Sequence, residues 1–110
     1  MEIYLIKAHD IDLYKIGFSK NSRKRVKQLQ TGCPYQLEIM NIYEPQKFPY
    51  KVEKIMHRSM SIYKRDVDST KLKGEWFDLK NEQIVNFLSN CKKAEETLIY
   101  LHEAGNHFVK

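Results

Sequence analysis

The sequence predicts an α+β fold: an antiparallel sheet begun by an N-terminal hairpin, extended by later strands and flanked by helices. Three observations lead to it. Two β-branched and aromatic runs, EIYLIK (2–7) and DLYKIGFS (12–19), stand on either side of a polar AHDI link, the pattern of a short hairpin. Three later segments carry apolar residues at helical spacing, with start and stop residues in place. The resulting order, β-β-α-β-α-β-α, suits a sheet with helices packed upon it.

After the hairpin, Asn21 or Ser22 serves as a helix N-cap, and Gly32 provides a left-handed end just before Pro34. QLEIMNIYE (36–44) returns to strand character. From Phe48 to about Tyr63 the apolar residues Val52, Ile55, Met56 and Tyr63 keep a helical period, and Pro49 is tolerated in the first turn. KRDVDSTKLKG (64–74) reads as a polar loop and EWFDL (75–79) as a last short strand. Residues 81 to about 104 make one long helix or two shorter ones, with Ile84, Phe87, Leu88, Cys91, Leu98 and Leu101 turned inward and Gly105 as the stop. The polar KKAEE segment (92–96) is expected to interrupt that packing.

The 110 residues, 42% hydrophobic and 30% charged, suit one compact domain with a modest core. No apolar run approaches the roughly 18 residues of a membrane span, and MEIYLIKAHD is too short and too charged for a secretory signal, so a soluble intracellular protein is expected. Cys33 and Cys91 lack the pairing of a zinc site or a disulfide scaffold and read as reduced, half-buried side chains. The net charge of +5 is concentrated: Lys15, Lys20, Arg23, Lys24, Arg25 and Lys27 lie between Asp12 and Glu38 with no acid among them. The other 13 basic and 14 acidic side chains leave −1. Such a field favours a polyanion, most often nucleic acid, and is equally compatible with a solvated helix face.

Geometry narrows the candidates. With Ser22, Val26, Leu29 and Cys33 as the buried stripe of the basic helix, Arg25 borders the sheet, about 70° from the stripe's centre, while Lys24 and Lys27 point away. A guanidinium at such a shoulder can grip a phosphate bidentately; equally, its stem can cover apolar surface and its head pair with a carboxylate. Strand alternation lets Tyr4 and Lys15 share one face in a hairpin of suitable register, with Gly17 beside them admitting a close backbone or phosphodiester, or a bulge. Glu53 and His57, four residues apart, project from one side of a helix.

EIYLIK, YKIGFSKNSRKRVKQLQTG, Glu53 within KVEKIMH, and GEWF together resemble the GIY-YIG endonuclease superfamily. The likeness is to a short branch common in phages, large DNA viruses and some fungi, whose second motif reads Tyr-Lys-Ile-Gly. It covers roughly residues 2–79, and Arg25 falls eight positions after Gly17, the interval of the superfamily's catalytic arginine. The resemblance implies a small GIY-YIG-like nuclease domain over residues 1–79, with residues 80–110 a C-terminal helical extension packed on it. It implies hydrolysis of DNA phosphodiester bonds with one Mg²⁺ or Mn²⁺. Tyr4 then matches the first-motif tyrosine, Arg25 the phosphate clamp and Glu53 the metal ligand. Lys15 is a candidate general base or phosphate contact, and His57 is placed to bind the scissile region, orient Glu53 or move a proton, or else is an exposed helix histidine. Lys20, Arg23, Lys24 and Lys27 would hold flanking DNA backbone. Gly17 and Trp76 are assigned structural roles, Trp76 as a core anchor, and Glu75 is grouped with them. The chain departs from the family at Glu2, which replaces the first-motif glycine, and at Lys15, which replaces the second-motif tyrosine; the late-strand asparagine of many relatives has no counterpart. Two other functions fit: a non-catalytic nucleic-acid-binding module on the same fold, and an interaction adaptor or homodimer using the C-terminal helix.

Overall fold

The computed structural model describes residues 1–105, so residues 106–110 of the expected C-terminal extension lie outside the described residues. Strands β1 (Glu2–Ala8) and β2 (Leu13–Ser19) form the hairpin, with Tyr4 opposite Gly17 and Ile6 opposite Lys15. Helix α1 (Ser22–Gln30) follows, started by the Asn21 side chain, which accepts from the Lys24 amide at 3.0 Å. Glu2 adds a second tie: its carboxylate accepts from the Ser22 amide at 2.8 Å and joins the head of α1 to β1. Gly32, at φ 78°, turns the chain toward β3 (Leu37–Tyr43), which pairs with β1 on the side away from β2. Helix α2 (Pro49–Ser59) leads through a 3-10 turn (Ser61–Tyr63) to β4 (Lys64–Arg65) and β5 (Trp76–Phe77). Helices α3 (Asn81–Val85) and α4 (Phe87–Glu103) complete the chain.

The five strands form one sheet in the order β3-β1-β2-β5-β4, all pairs antiparallel. Alternation along the hairpin gives each face its own core. Ile3, Leu5, Tyr14 and Ile16 pack under α2 and α4 with Val52, Met56, Phe77, Phe87, Cys91 and Leu98. On the opposite face Tyr4, Ile6, Ala8 and Leu13 pack with Val26 of α1, Leu72 and Trp76. No helix among the described residues is long and apolar enough to cross a membrane.

Several local expectations are corrected. The helix expected from Phe48 to Tyr63 stops at Ser59 and continues as the 3-10 turn. Residues 64–74 are not wholly a loop, because Lys64 and Arg65 pair with Phe77 and Trp76; two charged residues carry no strand pattern of their own, and the ladder alone makes them a strand. The C-terminal stretch takes the second of its two expected forms, two helices divided at Asn86. Leu88 faces solvent, Cys91 is fully rather than half buried, and the KKAEE segment does not interrupt packing, since Ala94 and Glu95 are both buried. Glu95 stays in the interior because it is fully engaged: it accepts from the Tyr43 hydroxyl and from the amides of Gln46 and Lys47, at 2.8 and 3.0 Å. Those bonds hold the loop that enters α2, where Phe48 takes a left-handed φ of 55°, a conformation that persists only under outside constraint.

Candidate active site

The site forms at a gap in the sheet. Strand β5 meets β2 at one residue pair, Tyr14 with Phe77, among the described residues. Past that point the edge of β2 toward Ser19 faces α2. His57 fills the gap: its Nε2 donates to the Ile16 carbonyl at 2.6 Å, and its ring meets Phe77 edge-on at 5.4 Å. Its Nδ1 lies 2.8 Å from a Glu75 carboxylate oxygen. Both ring nitrogens thus face acceptors, and both bonds form together only when each nitrogen carries a proton.

A cleft of about 640 Å³ opens over this gap, lined by Tyr4 of β1, Lys15 and Gly17 of β2, Arg25 of α1, and Glu53 and His57 of α2. The hairpin register explains how Tyr4, on the α1 face, reaches a cleft shared with α2. It stands directly opposite Gly17, and its ring and hydroxyl lie across the space that a Cβ there would fill. Gly17 was expected to admit a phosphodiester or form a bulge; the structure gives that room to the Tyr4 ring. Arg25 projects from α1 toward the Tyr4 hydroxyl. Burial pushes the Tyr4 phenol above its ordinary value of 10.0, with the nearby Arg25 guanidinium pulling the other way. Lys15 lies diagonally from Tyr4 on the same face, its ammonium 5.7 Å from the centroid of the Trp76 ring. The loop closes over it at Gly74 (φ 88°), where any Cβ would come within 2.6 Å of that ammonium. Burial lowers the Lys15 pKa from 10.5, partly countered by the Glu75 carboxylate.

The T5orf172 domain matches residues 2–97, nearly the whole described chain. The protein belongs to the T5orf172 domain family. Membership points to a nuclease or nucleic-acid-related role. No curated protein and no solved structure matches the chain.

Within this T5orf172 domain, the residues singled out from sequence divide into two sets. Tyr4, Lys15, Gly17, Arg25, Glu53 and His57 come together at the cleft. Lys20, Arg23, Lys24 and Lys27 do not line it; they are exposed on or just before α1, beside the cleft. Trp76 is buried, donates from Nε1 to the Lys73 carbonyl at 2.9 Å, and lines a smaller groove of about 310 Å³ shared with Lys15 and Cys33.

Sequence reasoning missed a second row of cleft residues. Tyr50, Lys54 and Arg58 follow one another at four-residue intervals on α2, adjacent to the Glu53 and His57 row. That spacing was readable once a helix was drawn, because the core face of α2 is occupied by Val52 and Met56. Lys64 and Glu75 also line the cleft, on neighbouring strands that local pattern did not pair. Five cations, Lys15, Arg25, Lys54, Arg58 and Lys64, therefore surround two carboxylates, a balance that attracts a polyanion.

The two carboxylates differ in commitment. Glu75 lies 2.8 Å from His57 and 2.9 Å from Lys64, and those partners hold its carboxyl below the ordinary 4.5, Lys64 most strongly. Glu53, more shielded from solvent, meets His57 at 3.7 Å, beyond hydrogen-bonding distance. No three His, Cys, Asp or Glu side chains among the described residues gather into an ion cage. One hard carboxylate at an open cleft fits a divalent ion that keeps most of its waters, such as Mg²⁺ or Mn²⁺, and not a four-ligand zinc site.

Proposed function

We propose that this protein is a metal-dependent endonuclease that hydrolyses DNA phosphodiester bonds by GIY-YIG-type chemistry. The observation that carries the reading is the meeting of Tyr4, Lys15, Arg25, Glu53 and His57, drawn from four elements, around one cationic cleft. Membership in a phage-associated family related to nucleases supports it.

On this reading Arg25 receives the scissile phosphate through paired N–H donors and offsets the charge that builds on its oxygens. Tyr4, kept a neutral phenol by burial, hydrogen-bonds the phosphate or the attacking water. Lys15, biased by burial toward the free amine, takes the proton that water loses as its oxygen bonds to phosphorus and the bond to the 3′-oxygen breaks. Glu53 would hold a divalent ion, which would supply charge stabilisation for the departing oxygen. His57, fixed by Ile16 and Glu75, keeps α2 against the edge of β2 and so sets where Glu53 stands.

Purified protein with supercoiled plasmid and Mg²⁺ or Mn²⁺ is expected to nick or cut it. Arg25→Ala and Glu53→Ala should each lose at least about 100-fold in rate, the scale of losing one transition-state contact. Equal residual activity in all three proteins would mean the cleavage comes from a contaminant. The second reading, a non-catalytic grip on nucleic acid through Lys20, Arg23, Lys24 and Lys27, is favoured by Lys15 at the second-motif tyrosine position. Tight binding that falls steeply with salt, without cleavage under either metal, would select it.

A further inference from the structure

We propose that the mouth of the cleft is a stacking platform for an unpaired DNA base, built from Tyr50 and Phe18, so that the preferred substrate carries a single-stranded nucleotide beside the phosphate held by Arg25. This rests on the nucleic-acid reading of the cleft and adds the substrate class.

Tyr50 sits in the first turn of α2, three residues before Glu53, and lines the same cleft as Arg25. Tyr50 is 53% exposed, yet its ring is braced. The Phe18 ring lies 5.7 Å away, tilted by 53°, and Phe18 is itself packed into the core under α2. The Lys54 ammonium stands 5.1 Å from the Tyr50 centroid. A braced, half-open aromatic ring loses little conformational freedom when a flat ligand settles on it, so most of the stacking attraction is retained.

The surroundings choose the ligand. Five cations line the cleft, so the flat group arrives attached to negative charge. A nucleotide supplies both, with its base on Tyr50 and its phosphate toward Arg25 or Lys54. When a base lies on the ring, the flexible Lys54 stem swings aside and its ammonium becomes available to the adjoining phosphate. Bases inside a duplex have both faces covered by neighbours, so a paired base reaches Tyr50 only after unstacking, at a cost of a few kcal/mol. An overhang, flap or single strand avoids that cost.

The test is equilibrium binding by fluorescence anisotropy, with EDTA present so that nothing is cut. The probes are one labelled DNA oligonucleotide of mixed sequence and the same oligonucleotide as a blunt duplex. Tyr50→Ala should weaken single-strand binding roughly tenfold, about 1.4 kcal/mol, and duplex binding less than twofold. Tyr50→Phe, which keeps the ring, should stay within twofold of wild type on both, while Arg25→Ala weakens both alike. Equal losses on both DNAs from Tyr50→Ala, or a Tyr50→Phe defect as large as that of Tyr50→Ala, would overturn the platform. So would an unaffected single strand alongside a clear Arg25→Ala defect, and in that case the nucleic-acid reading survives alone. Failure of the wild type to bind either DNA would remove both.

Discussion

Two glutamates on adjacent helices show how one side chain serves opposite ends. Glu95 of α4 is 6% exposed and takes three donors, the Tyr43 hydroxyl and two backbone amides, so its charge is spent inside the molecule. Glu53 of α2 stands in an open cleft among cations, 3.7 Å from His57. A carboxylate whose lone pairs are taken up by its own chain builds structure; one left under-engaged in a charged cleft is available to a ligand. The two are linked, because the loop that Glu95 clamps is the one that launches the helix carrying Glu53 and His57.

The contrast is tested most severely by removing each carboxylate. Glu95→Ala leaves three part-buried donors without their acceptor and should cost about 3 kcal/mol, a fall in Tm of roughly 10–15 °C by thermal melting. Glu53→Gln should abolish cleavage yet melt within about 2 °C of wild type, as expected for a position outside the core. Similar melting losses in both variants would erase the distinction.

A smaller effect is expected at Gly17, where the structural and functional roles overlap. Gly17→Ala drives a methyl group into the Tyr4 ring and should cost roughly 1–3 kcal/mol of stability, with a marked loss of cleavage as the ring is displaced. Unchanged melting and cleavage would show that the Tyr4 ring does not depend on this gap.

The smallest effect separates function from stability at Lys15. Burial puts its folded-state pKa below 10.5, so between that value and 10.5 the unfolded chain holds more protons and stability rises with pH. Lys15→Met should therefore raise Tm at pH 7 while abolishing cleavage, as thermal melting and the plasmid assay would show. The gain should shrink as pH approaches 10.5 and the wild-type lysine loses its charge in both states. A variant less stable than wild type at pH 7 would mean that the attraction of the Lys15 ammonium to the Trp76 ring and the Glu75 charge outweighs its burial.

What was legible in the sequence was local. The hairpin, the Asn21 cap, the Gly32 and Gly105 turns and the stripe of Val52 and Met56 each follow from residues within a turn or a strand of one another. The charge concentrated between residues 15 and 27 and the motif order were equally readable, because composition and spacing survive without coordinates. Beyond reach were features whose partners lie far along the chain. Strand β4 exists only by pairing with β5, eleven residues on. Glu95 is buried by donors 48 to 52 residues away, and a charged residue in a polar stretch gives no sign of that. The lodging of the Tyr4 ring over Gly17 depends on hairpin register, and the hold of His57 on the Ile16 carbonyl depends on β5 ending early. By itself the sequence determined the elements, the charge and the candidate residues, because those depend on local backbone preference and period. Only the tertiary structure decided which carboxylate is consumed, which is left open, and which rings face the cleft, because satisfaction of a polar group and exposure of an apolar one are properties of the packed surroundings.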